Sequence, residues 1–450
     1  MATIITTARE AENFIYESYM KALPNIPPDQ PDSLTRNPVF TRTLLDRLGK
    51  PDYKQYNILV TGSKGKGSVS RILSAILESH GYKTGLFTGP HLMNFRERIR
   101  VSGTPISERN FVKYTNHIEP YIHDIQQALP ADKYIGPVGI SAAIAMLYYL
   151  DKKTRYNIIE CGRGARYDDV NMIFSRASII NSVFEEHIPQ LGNNLLEIAD
   201  SKAGVIKSTQ DFTFSAHQNP EVLNIIIKET RDNSVKLYHY GRDFECSDIK
   251  VTPRGTHFNI ATEKHKYGDL SIRLLGRHQA YNAALAISAA ERILGKLNSD
   301  TIAKSLRKIT WPGRLEIISR TPTVILDGCI NKECSRYVTE VVKEITDKPI
   351  ISIVGIPDDK DYIGVIQRIS SISKKIILTK TKNRNLKFTD NQYGEIRRVM
   401  DENIHSTQTI DEAMDMAMSF AEADDIICIM GTISLVKETK ELFSQDTLKL

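Results

Sequence analysis

The sequence predicts an α/β protein of two domains: a larger N-terminal one with a parallel sheet plus a small β section, and a smaller C-terminal one. Three observations carry this. A short apolar run, a Gly-rich turn and an amphipathic helix follow one another from Asn57 to Leu77. The same strand-then-helix alternation recurs up to Val183 and resumes beyond Asp300. A chain of 450 residues also exceeds what one hydrophobic core usually spans. Hydrophobic residues make up 41% and charged residues 25%, which excludes wholesale disorder and a fibrous protein. Lys and Arg total 59 against 54 Asp and Glu, a net charge of +5, and no dense basic block occurs. Nucleic acid is therefore not an expected partner.

The elements follow in order. The opening segment is rich in proline (Pro24, Pro27, Pro28, Pro31, Pro38) and predicts a helix followed by an irregular arm. Asn57–Thr61 reads as a buried strand ended by Gly62. Val69, Ile72, Leu73, Ile76 and Leu77 form one face of a helix, with Gly81 as its stop. Lys83–Thr88 reads as the next strand, which completes a βαβ unit and implies a parallel sheet. Ile140–Leu150 is apolar nearly all round and predicts a buried helix; Tyr156–Glu160 and Ala177–Val183 predict strands. From Asp211 to Leu275 short alternating segments predict an antiparallel β-rich section, and an Ala-rich helix follows over His278–Leu294. Gly, Lys, Asn, Ser and Asp cluster over Gly295–Asp300, which places the domain boundary there and divides the chain into 1–296 and 297–450. Strands are expected at Thr323–Leu326, Ile350–Val354, Lys375–Thr379 and Asp425–Ile429, and a helix over Asp411–Ala423. That part reads as a Rossmann-like domain with an open parallel sheet, whose ligands bind at the carboxyl ends of strands.

Cys161, Cys246, Cys329, Cys334 and Cys428 are odd in number and irregularly spaced, with no C-x-x-C, so a disulfide framework or zinc site is not expected and a reducing cytoplasm is. The stretch Met1–Glu10 lacks a signal-peptide layout, and Gly139–Leu150 is too short to span a bilayer. The expectation is a cytoplasmic protein with no membrane partner.

The most informative segment is Gly62-Ser63-Lys64-Gly65-Lys66-Gly67-Ser68, between a strand and a helix. That context offers backbone N–H groups and a helix N-terminus to phosphate oxygens, as in a P-loop-type mononucleotide site. Lys66 supplies a cation for the outer phosphates, and Ser68 a hydroxyl for phosphate-bound Mg²⁺. The spacing departs from a strict Walker A, because only Ser63 and Lys64 separate Gly62 from Gly65. The plainer alternative is a Gly-rich turn with incidental lysines. Glu160, at the end of its strand, is a candidate second magnesium ligand; the alternative is a surface Glu.

This loop resembles the G-T-N-G-K-G-S loop of folylpolyglutamate and dihydrofolate synthases within the Mur ligase superfamily, and further matches follow in the family's order. Pro90-His91-Leu92 with Phe95, Glu97, Arg98 and Ile99 resembles S-P-H-L and x-F-x-E-R-I. The stretch from Glu160 to Asp168 resembles E-V-G-L-G-G-R-x-D. Glu186-His187 with Leu191-Gly192 resembles D-H-x-x-x-L-G, and Lys202–Lys207 resembles K-A-G-I-I-K. His278-Gln279 with Asn282, the run Trp311–Glu316, Asp327-Gly328 with Asn331, and Asp359-Lys360-Asp361 complete the set.

The resemblance implies an ATP-dependent ligase with an N-terminal ATP-binding domain. It joins a small-molecule carboxylic acid to an amino acid through an acyl phosphate, and works as a monomer. It further implies roles by position. Lys66, His187 and Lys202 are catalytic, and Gly62 to Ser68 hold the phosphates. Ser68, Glu160 and His187 hold Mg²⁺. Asn282 lies near the base, Arg314 at the phosphates and Asp327 at the ribose. His91, Arg163 and Arg166 face the substrate. Lys202 matches a lysine that is carbamylated in many relatives.

Several positions depart from the family. Its serine before Pro-His-Leu, a metal ligand in relatives, is Gly89; its histidine in D-G-A-H-N is Ile330; its G-L-G-G turn carries Arg163 and Ala165; its aspartate before the histidine is Glu186. These departures leave open a folate enzyme, a ligase for a non-folate acid of specialised metabolism, and a non-catalytic nucleotide-binding partner.

Overall fold

The computed structural model describes residues 4–27, 29–389, 391–399, 403–445 and 450; Met1–Thr3 and Pro28 of the expectations above lie outside the described residues. The chain forms two compact units, Met1–Ser247 with Ile260–Gly268 and Tyr281–Leu306, and Asp248–Asn259 with Asp269–Ala280 and Arg307–Leu450.

The first begins with α1 (Ala8–Ala22), α2 (Asp32–Thr35) and α3 (Val39–Arg47), so the expected irregular arm carries two short helices. Then come β1 (Tyr56–Thr61), α4 (Lys66–Ser79), β2 (Thr84–Phe87), β3 (Ile99–Val101), β4 (Thr104–Pro105), α5 (Glu108–Gln127), α6 (Pro137–Lys152), β5 (Tyr156–Glu160) and β6 (Ala177–Ile180). After them come α7 (Leu195–Ala203), β7 (Phe212–Ser215), α8 (Pro220–Asp232) and β8 (Lys236–His239). The sheet order is β4-β3-β2-β5-β1-β6-β7-β8. Pairing is parallel from β2 through β8, and β3 and β4 form an antiparallel edge. The apolar helix α6 lies in the core, with Ile140, Ile144 and Met146 fully buried, which is why it lacks a polar face. Buried Asn157 on β5 donates to Asn57 on β1 at 2.9 Å, so neither amide is left without a partner inside the sheet.

The expectation of an antiparallel section from Asp211 to Leu275 is corrected. β7 and β8 are parallel strands of the main sheet, and α8 connects them. The helix had a readable signature: Asn219 caps it through the Glu221 N–H, Pro220 opens it, and Val222 and Ile226 turn inward. Only β9 (Phe244–Thr252), β10 (Gly255–Thr262) and β11 (Lys266–Ile272) form a separate sheet, in the order β11-β10-β9. The long helix α9 (Arg277–Leu294) and α10 (Ser299–Leu306) follow.

Beyond them lie β12 (Glu316–Arg320), β13 (Thr323–Asp327), α11 (Lys332–Ile345), β14 (Ile350–Gly355), α12 (Tyr362–Ile369), β15 (Ser373–Leu378), α13 (Asn391–Val399), β16 (Ile404–Ser406), α14 (Ile410–Phe420), β17 (Ile426–Gly431) and α15 (Ile433–Leu442). The sheet order is β12-β13-β17-β14-β15-β16. The expected all-parallel sheet is corrected here too: β12 runs antiparallel to β13 at the edge. It starts directly after the Trp311–Glu316 motif and is joined to β13 by a tight turn, which allows only antiparallel pairing. β14 and β17 are buried along their whole length, as central parallel strands should be.

Candidate active site

β1 delivers the Gly-rich loop at its carboxyl end. Gly62 (φ +139°) and Gly65 (φ +74°) occupy backbone conformations that L side chains rarely adopt. Space is short as well. A Cβ on Gly62 would lie 2.8 Å from Asn181 Cβ, and one on Gly65 would lie 2.8 Å from Asn282 Oδ1 and strike Asn181 Nδ2. Ser63 anchors the loop: its N–H donates to Ser182 O at 2.8 Å, and its hydroxyl donates to Phe184 O at 2.9 Å while accepting the Phe184 N–H at 3.0 Å. Gly65 is the N-cap of α4 and offers no side chain, so the first N–H groups of α4 are not capped by one. An uncapped helix start with its positive dipole end is an anion site. Lys66 Nζ donates back to Gly62 O at 2.8 Å. Lys64 and Gly67 sit on the loop half-buried, and Ser68 is buried.

Two neighbouring strands bring acids to this loop. β5 pairs with β1 so that Glu160 lies beside Val60, and its Oε2 accepts the Gly89 N–H at 3.1 Å. Lys202, near the end of α7, is fully buried. Its ammonium donates to Gly62 O at 3.0 Å and Glu186 Oε1 at 2.8 Å. Burial, with Lys66 adding to it, pushes the Lys202 amine down to about 8. For Glu186, burial pushes its pKa up, but Lys202 and then Lys66 outweigh it and hold the carboxyl below the usual range. His187 is half-exposed with φ +51°, and its Nε2 is 3.8 Å from Glu186 Oε2. Burial lowers its pKa, and Arg163 adds to that.

Asn282, on α9, is buried against Gly65 and accepts from Asn181 Nδ2 at 2.8 Å. It thus touches the phosphate loop, whereas the resemblance places it near the base. Asn181 was missed as a site residue. The signal was available: a polar residue just past an apolar strand, on the strand flanking β1 opposite Glu160's. Ser68, Glu160, Lys66, Glu186 and Lys202 all belong to the structure around this loop.

The residues expected to face substrate fare differently. His91 Nδ1 accepts from Arg98 Nε at 3.0 Å. Arg163 spends its fork on Asp32, with Nε at 3.1 Å and a second bond from Nη2. Arg166 pairs with Asp200 at 3.1 Å and Glu229 at 3.4 Å. Both arginines therefore serve ion pairs within the fold.

In the second unit the Trp311–Glu316 motif forms a turn over the start of the loop after β13. Asp327 Oδ2 accepts the Leu315 N–H at 2.9 Å, and Gly328 N–H donates to Gly313 O at 3.0 Å. The Arg314 guanidinium lies against Gly328, where a Cβ would be 2.7 Å from it. Lys440, buried on α15, donates to Glu316 Oε1 at 2.8 Å, and Glu316 Oε2 accepts the Gly313 N–H at 2.9 Å. Burial pushes the pKa of His278 down to about 4, helped by the cations of Arg336 and Arg314. Arg314 and Asp327 thus both lie at the turn formed by the Trp311–Glu316 motif and the end of β13. Among the described residues no group of three His, Cys, Asp or Glu side chains converges as a metal cage, and no helix is long and apolar enough to cross a membrane.

Residues 133–290 match the Mur ligase middle domain, and residues 313–433 match the Mur ligase glutamate ligase domain. A dihydrofolate synthase/folylpolyglutamate synthase of Bacillus subtilis (strain 168) is 33% identical over 343 residues, covering 74% of this chain and 79% of that protein. A folylpolyglutamate synthase of Lacticaseibacillus casei is 29% identical over 341 residues, covering 75% and 79%. A solved Mycobacterium tuberculosis folylpolyglutamate synthase complexed with ADP superposes with a TM-score of 0.86 at 24% identity, over 97% of this chain and 99% of that one, and so supports the fold. Fold, loop and matches together define an ATP-dependent carbon–nitrogen ligase of the Mur type. Within that class, the chain belongs to the dihydrofolate synthase/folylpolyglutamate synthase family.

Proposed function

We propose that this protein joins an amino acid, glutamate by the names of its relatives, to the carboxylate of a pteroate or folate. A carboxylate oxygen of the acid attacks the γ-phosphorus of ATP, and ADP leaves. The amino nitrogen then attacks the acyl carbon, inorganic phosphate departs, and the nitrogen loses a proton. The observation that carries the reading is the uncapped start of α4 at a strained glycine loop, with Lys202 bonded to the loop and Glu160 at the end of the adjoining strand, in a chain 33% identical to the Bacillus subtilis enzyme.

Each residue then has one task. The N–H groups from Gly62 to Ser68 and the Lys66 ammonium bind the β- and γ-phosphates, which neutralises charge where it develops. For this, Lys66 swings off Gly62 O. Lys202 holds that same carbonyl and keeps the loop's curvature. By the family resemblance, Arg314 and Asp327 are assigned to the phosphates and ribose, Asn282 supports the loop, and His91 faces the acid. Buried Ser68 and Glu160 offer oxygen donors that suit Mg²⁺ beside substrate phosphates, and the family resemblance adds His187. When bound, Mg²⁺ neutralises phosphate charge. Carbamylation of Lys202 stays a proposal that intact-mass measurement in bicarbonate tests; an amine pushed to about 8 has a neutral fraction to react. We extend the reading to a cytoplasmic monomer with functional division at 1–296 and 297–450.

A non-folate acid finds no support among these relatives, whereas a folate ligase fits them. The test is incubation with ATP, Mg²⁺ and a panel of dihydropteroate, folates, other carboxylic acids and free amino acids, following phosphate release and product mass. The proposal requires glutamate addition to a pteroate or folate. Turnover confined to other acids contradicts it.

A further inference from the structure

The N-terminal arm is tied to the site by charges that the proposed reaction does not use. Asp32, at the start of α2, is 2% exposed although it carries a carboxyl group on the N-terminal arm. It holds Arg163 through both carboxylate oxygens and lies 3.4 Å from Arg36 Nε. Arg36 in turn reaches Asp168 Oδ2 at 3.3 Å. Asp168, 1% exposed, accepts the Gly162 N–H at 3.1 Å and the Val170 N–H at 3.1 Å, so it fixes the turn that follows Glu160. The arm also reaches a second turn: Asp32 N–H donates to Gln190 O at 2.8 Å, and Gln190 Nε2 donates to Asp29 Oδ1 at 3.4 Å. Gln190 lies three residues after His187, within the turn that begins at Glu186.

We propose that Asp32 is a positioning residue. It is the hub of an ionic clamp that fastens the arm across the turns following β5 and β6, and Arg163 is part of that clamp. The inference rests on the proposed function only for its effect on turnover. Acids and bases alternate along the chain Arg163–Asp32–Arg36–Asp168, so Asp32 faces two cations and Asp168 one, and the bidentate fork from Arg163 fixes direction as well as charge. A buried ion pair adds little net stability compared with apolar packing, and is better suited to selecting one geometry. The two clamped turns start at Glu160 and Glu186. Small displacements of such groups cost rate even when binding survives.

The variants are Asp32→Asn, Arg163→Gln and the double. Arg163→Gln is the safer one, since that side chain is 30% exposed. Each single variant should lower kcat about tenfold with the KM for ATP within about twofold, and the double should be no worse than Asp32→Asn, because that variant already removes the Arg163 pair along with the Arg36 one. Arg163→Lys, which keeps charge but not the fork, should fall between. Independently of any substrate, Arg163→Gln should speed amide hydrogen exchange about tenfold in residues 32–36 and in 187–192 together. Unchanged exchange in both segments overturns the clamp even if no acid is turned over. A rise in the KM for the acid alone at Arg163→Gln, with Asp32→Asn silent, overturns it in favour of direct substrate binding by Arg163.

Discussion

Replacing Gly65 by alanine tests the phosphate loop at its most constrained point. The residue sits at φ +74°, where a Cβ costs about 1–2 kcal/mol. That Cβ would also lie 2.8 Å from Asn282 Oδ1 and collide with Asn181 Nδ2. Both amides are buried and bonded to each other at 2.8 Å, so they yield only by breaking that bond, a further loss of about 1 kcal/mol. The sum is about 2–3 kcal/mol. The loop relieves it by leaving its present curve, so the cost appears in nucleotide affinity, as a loss of about 30- to 150-fold. The assays are calorimetric titration with ADP and the KM for ATP in phosphate release. Gly81→Ala is the control: φ is +87° there, but nothing lies within 4 Å of its Cβ. It should lower the melting temperature and leave affinity unchanged. Wild-type ADP affinity in Gly65→Ala, or equal losses in both variants, would refute the reasoning.

Other outcomes follow from the same contacts. Glu186→Gln leaves the buried Lys202 ammonium with neutral oxygen acceptors and no opposite charge; breaking such a pair costs about 3–5 kcal/mol, read as a drop in the urea midpoint. Lys440→Met unties Glu316 from α15 and should raise the KM for ATP about tenfold through the Arg314 turn, while Lys440→Arg restores most of it. The His278 ring is held near 4 against 6.5 when unfolded, so between those values only the unfolded chain binds its proton. Its stabilising effect is therefore complete above pH 6.5 and is lost as pH falls toward 4, by at most about 3 kcal/mol because part of the ring stays accessible. The difference in unfolding free energy between wild type and His278→Asn, measured across that window, should trace this slope; a flat difference contradicts it.

The parallel sheet was legible because its strands are short apolar runs beside strong helical periodicity, as in Asn57–Thr61 with Val69–Leu77. The stretch from Asp211 to His239 was not. β7 and β8 are short and aromatic-rich, so alternation looked antiparallel and outweighed the Asn219-Pro220 signature that opens α8. Direction cannot be read from a lone strand; it is set by the connection, and α8 supplies the crossover that makes β7 and β8 parallel. At the site, the glycine loop and Glu160 were readable as chemistry-bearing residues beside sequence punctuation, and Lys202 came from the family resemblance. The occupation of Arg163 and Arg166 by Asp32 and Asp200 was not, since those partners lie 131 and 34 residues away in sequence. A cation in a motif shows its charge but not whether the fold has already spent it.

The central claim is that the start of α4 holds the nucleotide's phosphates. A structure of the full chain with Mg²⁺ and a non-hydrolysable ATP analogue measures this directly. The account predicts the β- and γ-phosphates on the N–H groups from Gly65 to Ser68, with Lys66 swung from Gly62 O onto them. Phosphates bound at another place, with Lys66 still folded onto Gly62, would contradict it.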